Sequence, residues 1–328
     1  MNAIAVCVGP VVIYWSSIVI VTGFLAALAL SLVLQRANGG SDSAMLLFFA
    51  LTVALSVPLC RALHWYCHTE QYDGFLSAVT DYSSGSFCLP GALLGVWLSA
   101  LIVKKLGLVK STARLLDAFA PGAALCAAFI RLSALFNTSC RGKIAVSVQA
   151  FQRLPFASAV ATASGGTEYR FASFYAEFLL LLLTAAIVLR FFYRNRARPM
   201  KNGGCDGHAA RLFLLLYSAA ELLIDSTRND SSFLKSNGFV SIVQIISAVC
   251  IAALLVYYSR NSIKADGFSR RCLVLWLFWL LGLAGTGASE YLVQRHGNWY
   301  LSCYVLMAVC CTVMTVSVYR MYLSCRRE

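Results

Sequence analysis

The stretch LLDAFAPGAALCAAFIRLSALFNTSCRGK, residues 115–143, decides the fold of this protein. It is mostly apolar as far as Phe136, and roughly 20 such residues are enough for one membrane-crossing helix. Arg131 interrupts the run near its end, and a polar Asn-Thr-Ser turn follows. A charge at the centre of a bilayer costs about 2.5–3.5 kcal/mol on insertion scales, so such residues usually belong to a functional site. The alternative is an arginine that extends its charged end to the lipid headgroups.

The composition of the whole chain, like this stretch, indicates a membrane protein. The chain has 328 residues, of which 59% are hydrophobic and only 12% are charged, and its mean hydropathy is +0.73. Soluble domains carry about 25% charged residues, so a single large soluble core is excluded. The chain also lacks the short alternating segments of a transmembrane barrel. The sequence therefore predicts an all-α, polytopic membrane helical bundle.

Nine apolar stretches are long enough to be read as membrane spans. They are predicted at residues 11–35, 43–64, 87–106, 115–136, 172–193, 209–225, 238–258, 272–293 and 300–323. About two thirds of the 27 lysines and arginines fall in the connections on one side, which predicts that this side is cytoplasmic and that the N-terminus lies outside.

The net charge of +13 has two possible explanations. In a soluble protein it would suggest nucleic acid as a partner. In a membrane protein the positive-inside bias and contacts with anionic lipid explain it, so no nucleic-acid partner is expected. The long extracytoplasmic loop 137–170 is itself basic, and long loops of this kind are usually functional. The predicted outer side of the membrane also carries a group of cations close in depth to Arg131 and suited to a lipid phosphate. They are Arg141, Lys143, Arg170 and Arg228.

Cysteine and histidine give weaker signals. Most of the 13 cysteines lie in apolar runs and none forms a pair with zinc-finger spacing, so no metal site and no cofactor is expected. Whether Cys67, Cys88 and Cys140 form a disulfide is left open. His64 and His68 are four residues apart and share a helix face, so either is a candidate base; the alternative is a pair of interfacial histidines.

The opening stretch resembles the signature region of bacterial prolipoprotein diacylglyceryl transferases, roughly D-x-x-A-P and then G-R-x-G-N-F-x-N-x-E-x-x-G. The positions in register are Asp117, Ala120, Pro121, Arg131, Leu132, Asn137 and Gly142. Further blocks follow in the family's order: VGPVVIYWSSIVIVTGFLAALAL (8–30), SFCLPGALLGVWLSA (86–100), FASFYAEFLLLLL (171–183) and ELLIDSTRND (221–230). The chain is thus identified as a divergent member of the family.

This resemblance implies a division of the chain and a reaction. Residues 1–262 would form a seven-span transferase-like core, and residues 263–328 an additional two-span hairpin. The family moves a diacylglyceryl group from phosphatidylglycerol to the lipobox cysteine of preproteins, at the outward side of the bacterial cytoplasmic membrane. The family register implies Arg131, Asn137 and Asp225 as catalytic residues, and His68 is added as the candidate base from the histidine pair. The alternative for Asp225 and Glu221 is a structural pair with Arg228 or Arg131, since buried charges need partners. The lipid phosphate would be bound by Arg131, Arg141, Gly142, Arg170 and Arg228.

The chain departs from the family pattern at several positions. The family's histidine aligns with Pro90 or Cys88, and its Gly-Asn after the arginine is Ser133 and Ala134. The family's acid is replaced by Ser139, its second arginine by Glu221, and its glutamate by Asp225. An alternative function is therefore a catalytically altered or inactive relative that binds a phospholipid or transfers another lipid-phosphate group.

Overall fold

The computed structural model describes residues 3–9, 11–67, 69, 72, 74–80, 89–136, 141–161, 165–195, 206–233, 238–296 and 299–326. Asn137, His68 and Ser139 lie outside these residues, as do Cys88 and Cys140. The structure therefore carries no information on the roles predicted for these residues or on the disulfide question.

The fold is helical, as predicted. In the described part of the chain, the long helices coincide with the nine predicted spans. They are α1 (Trp15–Ala37), α2 (Asp42–Cys67), α4 (Leu89–Lys105), α5 (Thr112–Ser133), α7 (Ser173–Asn195), α8 (His208–Thr227), α9 (Ile242–Asp266), α10 (Arg270–Arg295) and α11 (Tyr300–Ser324). Two short helices, α3 (Phe75–Thr80) and α6 (Gln149–Gln152), lie in connections.

Seven of the long helices are long and apolar enough to cross a membrane by length and composition: α1, α2, α5, α7, α9, α10 and α11. The other two have evident peculiarities. α4 has 17 residues, and α8 carries Arg211, Glu221 and Asp225. Charges within α8 are expected if this helix faces a polar interior rather than lipid.

Two short antiparallel hairpins supplement the helices. β1 (Ile4–Val8) pairs with β2 (Val11–Tyr14), so the first helix begins at Trp15 and the predicted start at residue 11 is wrong. β3 (Ala157–Ala161) pairs with β4 (Thr167–Phe171) inside the predicted loop 137–170. Regular structure was not expected in this loop, because both strands are short and only partly apolar.

Close packing of α5 against α1 fixes the position of the signature helix. A Cβ atom on Gly23 would lie 2.4 Å from the Phe129 Cβ, and one on Gly122 would lie 2.7 Å from the Ala27 carbonyl oxygen. Small residues let helix backbones approach in this way inside a membrane. α5 also packs against α7 and α8, so its last turn faces both of these helices.

Candidate active site

Arg131 lies in the last turn of α5 and points into the bundle. Its Nε donates to Glu177 Oε1 of α7 at 2.5 Å, and a terminal nitrogen donates to Glu221 Oε1 of α8 at 3.2 Å. The Arg131 side chain is 18% exposed, and those of Glu177 and Glu221 are 2% and 1% exposed. The guanidinium is therefore held by two buried carboxylates, and the alternative of an arginine that reaches for the headgroups does not apply.

The two carboxylates of this cluster repel each other, and the cations that act on them are Arg131 and, from the end of α8, Arg228. Their Oε2 atoms are buried and, within the described residues, neither has a hydrogen-bond partner. A buried carboxylate oxygen without a partner is costly, and two adjacent carboxylates are stabilised when they share a proton. Two adjacent buried carboxylates of this kind are a candidate proton-binding site.

The segment after the signature helix is hydrogen-bonded to the end of α8 and to the chain just before α7. The Lys143 amide donates to the Thr227 carbonyl at 2.9 Å, and the Asn229 amide donates to the Arg141 carbonyl at 2.9 Å. These bonds form a short antiparallel bridge between Gly142 and Arg228. The segment joined in this way, residues 141–143, is called the basic segment below. It places Arg141, Lys143 and Arg228 at one end of α8.

Gly142 is needed at this joint for steric reasons. Its amide donates to the Phe171 carbonyl at 2.8 Å, and a Cβ atom at Gly142 would lie 2.4 Å from that oxygen. Any larger residue would push the basic segment away from the start of α7. The Gly142 amide is already used within the protein, so glycine acts here by allowing close approach.

Asp225 and Arg228 close the outer end of α8. Asp225 lies one helical turn after Glu221, is 1% exposed and accepts a hydrogen bond from the Ser241 hydroxyl. Arg228 is 3.9 Å from the Asp225 carboxylate, and its Nε donates to Asp230 at 3.0 Å. Asp225 therefore joins the end of α8 to the start of α9, where the Ser241 hydroxyl also caps the helix.

The two cations of the basic segment are partly buried. The Arg141 guanidinium lies 5.7 Å from the centre of the Phe174 ring, an arrangement typical of a cation–π contact. Burial lowers the pKa of Arg141. Burial also lowers the pKa of Lys143, while the carboxylates of Glu290 and Asp225 act in the opposite direction. Such partly desolvated cations attract anions more strongly than fully hydrated ones.

Arg170 lies on the neighbouring hairpin. Its backbone bridges Ala145, and its guanidinium donates to Glu168 at 3.0 Å. Arg170 is therefore next to the basic segment, with its charge directed towards Glu168. His64 is buried in α2, with its ring 6.0 Å from that of Tyr72.

The structure thus brings most predicted residues to one end of the bundle. Arg131 lies partly buried between α7 and α8, and Arg141, Gly142, Asp225 and Arg228 meet at the end of α8. The sequence analysis did not select Glu177 or Glu290. Both are acids inside apolar runs, so the rule that singled out Arg131 would have found them.

The fold and the site define the class of protein. It is a multi-pass helical membrane protein with a buried arginine–carboxylate cluster beside a cationic surface. The profile of the prolipoprotein diacylglyceryl transferase family matches residues 3–260. This match covers most of the chain, so the chain belongs to that family, and the predicted resemblance is confirmed.

Individual relatives agree with the family match. The phosphatidylglycerol–prolipoprotein diacylglyceryl transferase of Clostridium kluyveri is 24% identical over 269 residues, which are 81% of this chain and 100% of the relative. The transferase of the same name from Streptococcus pyogenes serotype M1 is 24% identical over 262 residues, 80% of this chain and 95% of the relative. Both values are consistent with a divergent member of the family.

Proposed function

We propose that this protein transfers a diacylglyceryl group from phosphatidylglycerol to the lipobox cysteine of prolipoproteins. The observation that carries the proposal is Arg131, which stands in the family's register and is held in the bundle interior beside the basic segment. We place the reaction at the outward side of the bacterial cytoplasmic membrane, with the N-terminus outside. The charge asymmetry of the connections supports this orientation.

The reaction sets three requirements for the site. The thiol sulfur forms a bond to the glyceryl carbon, and the bond between that carbon and the phosphate oxygen breaks. The electron pair of the broken bond leaves with glycerol phosphate, and the thiol proton goes to a base. The site must therefore bind a phosphate, accept a proton and admit both a lipid and a peptide.

The basic segment and its neighbours are the proposed phosphate site. Arg141 and Arg228 are brought together by the bridge at Gly142, and Arg170 lies on the adjacent strand. Arginine suits a phosphate because its fork of donors can contact two oxygens at once. Arg131 has five N–H donors in total, so it can orient the two carboxylates and also take part in phosphate binding.

The family's histidine is absent, so the proton acceptor must be another group. The described residues offer the Glu177–Glu221 pair, whose Oε2 atoms are buried without a hydrogen-bond partner among those residues. We propose this pair as the base, with His68 as the alternative. Asn137 is proposed as a hydrogen-bonding residue and Asp225 as the carboxylate that fixes the end of α8.

A second function is favoured by one specific observation. Glu221 stands where the family pattern has its second arginine, and it compensates the charge of Arg131. A site with less positive charge would bind a phospholipid more weakly and stabilise a departing phosphate less. The second candidate is therefore a relative that binds a phospholipid or transfers another lipid-phosphate group.

One experiment separates the two functions. The chain is expressed in cells depleted of their own transferase, and a lipobox preprotein is followed by mass spectrometry. We expect the preprotein to gain the mass of a diacylglyceryl group. The Arg131→Ala variant, matched for its amount in the membrane, serves as the control. An unmodified preprotein in the presence of membrane-inserted wild-type protein would overturn the proposed transfer and leave the second candidate.

A further inference from the structure

Asp117 is the residue of the signature stretch that the proposed reaction leaves without a role. It lies on α5 and is 8% exposed. Arg131 follows it by 14 residues, which is about 21 Å along a helix. Asp117 is therefore far from the site, near the other end of α5. A carboxylate inside a membrane helix is costly, so we expect it to serve a purpose there.

The Asp117 carboxylate caps the start of α8. Its Oδ2 accepts a hydrogen bond from the Gly207 amide at 2.5 Å, and its Oδ1 accepts one from the Ala210 amide at 2.9 Å. The first amides of a helix have no partner within the helix, and they favour a negative charge. Gly207 directly precedes α8 and has no side chain that could act as a cap. Asp117 therefore supplies this cap from a different helix.

Gly207 allows α5 and α8 to approach closely at this point. Its φ is +87°, in the left-handed region that favours glycine. A Cβ atom at Gly207 would lie 3.2 Å from the Ala113 Cβ in the first turn of α5. The start of α8 is therefore in direct contact with the start of α5.

The same two helices meet again at the other end, where Arg131 donates to Glu221 at 3.2 Å. Glu221 follows Gly207 by 14 residues, the same spacing as between Asp117 and Arg131. Four turns of an α-helix contain about 14.4 residues, so both members of each spacing lie on nearly the same face of their helix. The two polar contacts therefore fit a single register of α8 along α5. A slide of α8 by one residue, about 1.5 Å, would disturb both.

The other side of α8 is held by apolar packing against the C-terminal hairpin, α10 and α11, and against α9. The residues of this shared core include Leu222, Ile251, Leu255, Trp279, Met307 and Met314. Burial of apolar area is non-directional, whereas hydrogen bonds require a defined distance and angle. The hydrogen bonds at the two ends of α8 are therefore better suited to define its register.

We propose that Asp117 is a positioning residue that sets the register of α8 along α5 and so places Glu221 against Arg131. This inference rests on the proposed function, because Glu221 is one half of the proposed base. Asp117 takes no part in the chemistry itself. Its effect reaches the site along α8, which is one continuous helix from His208 to Thr227.

The first test does not depend on activity. Hydrogen exchange of the purified full-length protein is followed by mass in Asp117→Asn, which keeps the size of the side chain but loses its charge and one of its two acceptors. We expect exchange at the start of α8 to rise by about fivefold, the factor for loss of one helix cap. We also expect a rise in peptides with the Lys143 and Asn229 amides, whose bonds join the basic segment to the far end of α8.

The matched control is Asp206→Asn, an acid-to-amide change at the residue before Gly207. The Asp206 carboxylate accepts from Arg114 at 3.3 Å, and the Arg114 side chain is 57% exposed. Exposed ion pairs contribute little, so exchange at both places should stay at the wild-type level.

Two results of the exchange experiment would overturn the proposal. A rise confined to the start of α8 would show that Asp117 is a local cap only, and no rise at all would show that it is not even that. If Asp117→Asn is not recovered from the membrane, Asp117→Ser, which retains one acceptor oxygen, is judged by the same outcomes.

The second test uses the transfer reaction. We expect Asp117→Asn to lower kcat by about tenfold, because a catalytic group is misplaced, with a smaller change in the KM for phosphatidylglycerol. In a Glu221→Gln background, Asp117→Asn should cause no further loss of kcat, because the group that Asp117 positions is already gone. The same fractional loss in both backgrounds would show that Asp117 does not act through Glu221.

The two proposals fail in different ways. If the wild-type protein transfers no diacylglyceryl group, the proposed function is wrong. The exchange of the Lys143 and Asn229 amides in Asp117→Asn still decides whether Asp117 controls the far end of α8.

Discussion

Arg131 and Glu221 are joined by a hydrogen bond of 3.2 Å between α5 and α8, at a position where the resemblance predicts an arginine in place of the glutamate. A glutamate differs from an arginine by two charge units, and Glu221 is here an ion-pair partner of Arg131. Glu177 completes the cluster from α7. The interior of this member is organised around one arginine and two acids.

Removal of Arg131 should abolish transfer and weaken the fold. Arg131→Ala leaves Glu177 and Glu221 buried without their cation, and breaking a buried ion pair from one side typically costs about 3–5 kcal/mol. Thermal unfolding in detergent measures the stability, and the mass of a lipobox preprotein measures activity. Full transfer by Arg131→Ala would show that the arginine has no catalytic role. Arg131→Lys retains the positive charge but loses the guanidinium group, which can donate to two oxygens at once. Compared with Arg131→Ala, it should restore more of the stability than of the activity.

The Glu177–Glu221 pair should contribute to the chemical step rather than to lipid binding. Glu177→Gln keeps a side chain of the same size and should lower kcat by about 100-fold, the lower range for loss of a general base. The KM for phosphatidylglycerol should change little. The control is Asp42→Asn, an acid-to-amide change at the exposed start of α2, where the partner of Asp42 is Arg36. If the kcat of Glu177→Gln equals that of the control, the pair is not the base. His68 would then be the next residue to test.

Gly142→Ala should disrupt the joint between the basic segment and the start of α7. The new Cβ would be 2.4 Å from the Phe171 carbonyl oxygen, so the backbone has to shift. We expect loss of most activity and a lower unfolding temperature. Gly287→Ala is the control, because a Cβ atom at Gly287 would meet no other side chain or neighbouring helix within 4 Å. Since alanine favours a helix over glycine by about 1 kcal/mol, the control should be neutral or slightly stabilised.

The pH dependence of phosphatidylglycerol binding should report on Lys143. Burial lowers its pKa, and the charges of Glu290 and Asp225 act in the opposite direction. The ammonium is present below this lowered pKa and is lost as pH rises through it. The KM should therefore begin to rise below the ordinary lysine value of about 10.4. Lys143→Arg stays charged, so this rise should disappear; if it persists unchanged, another group causes it.

The sequence predicted the helices well because membrane spans are encoded locally. Each of the nine predicted spans is a mostly apolar run whose length can be read directly, and no knowledge of its neighbours is needed. Seven of the corresponding helices are long and apolar enough to cross a membrane. The error at the N-terminus has a simple cause: residues 11–14 are as apolar as the helix that follows, so hydropathy does not separate β2 from α1. Hydropathy alone also contains no sign of the β3–β4 hairpin.

The cations of the site were predictable, and in part their partners were too, because Glu221 and Asp225 are acids at the end of an apolar run that could pair with Arg131 or Arg228. Glu177 was not predicted. Arg131 stood out as a charge in an apolar run, and the family register supported it. Its partners are 46 and 90 residues away in sequence, so only the packing of α5, α7 and α8 brings them together. The attachment of Lys143 to Thr227 is equally distant in sequence, and periodicity within one element cannot reveal it.

The shared core of α8, α9, α10 and α11 has a practical consequence for anyone who shortens this protein. The family match ends near residue 260, but the apolar core of α8 and α9 continues into α10 and α11. A truncation near residue 260 would remove the side chains that cover Leu222, Ile251 and Leu255. We therefore expect a chain shortened at this point to fold poorly.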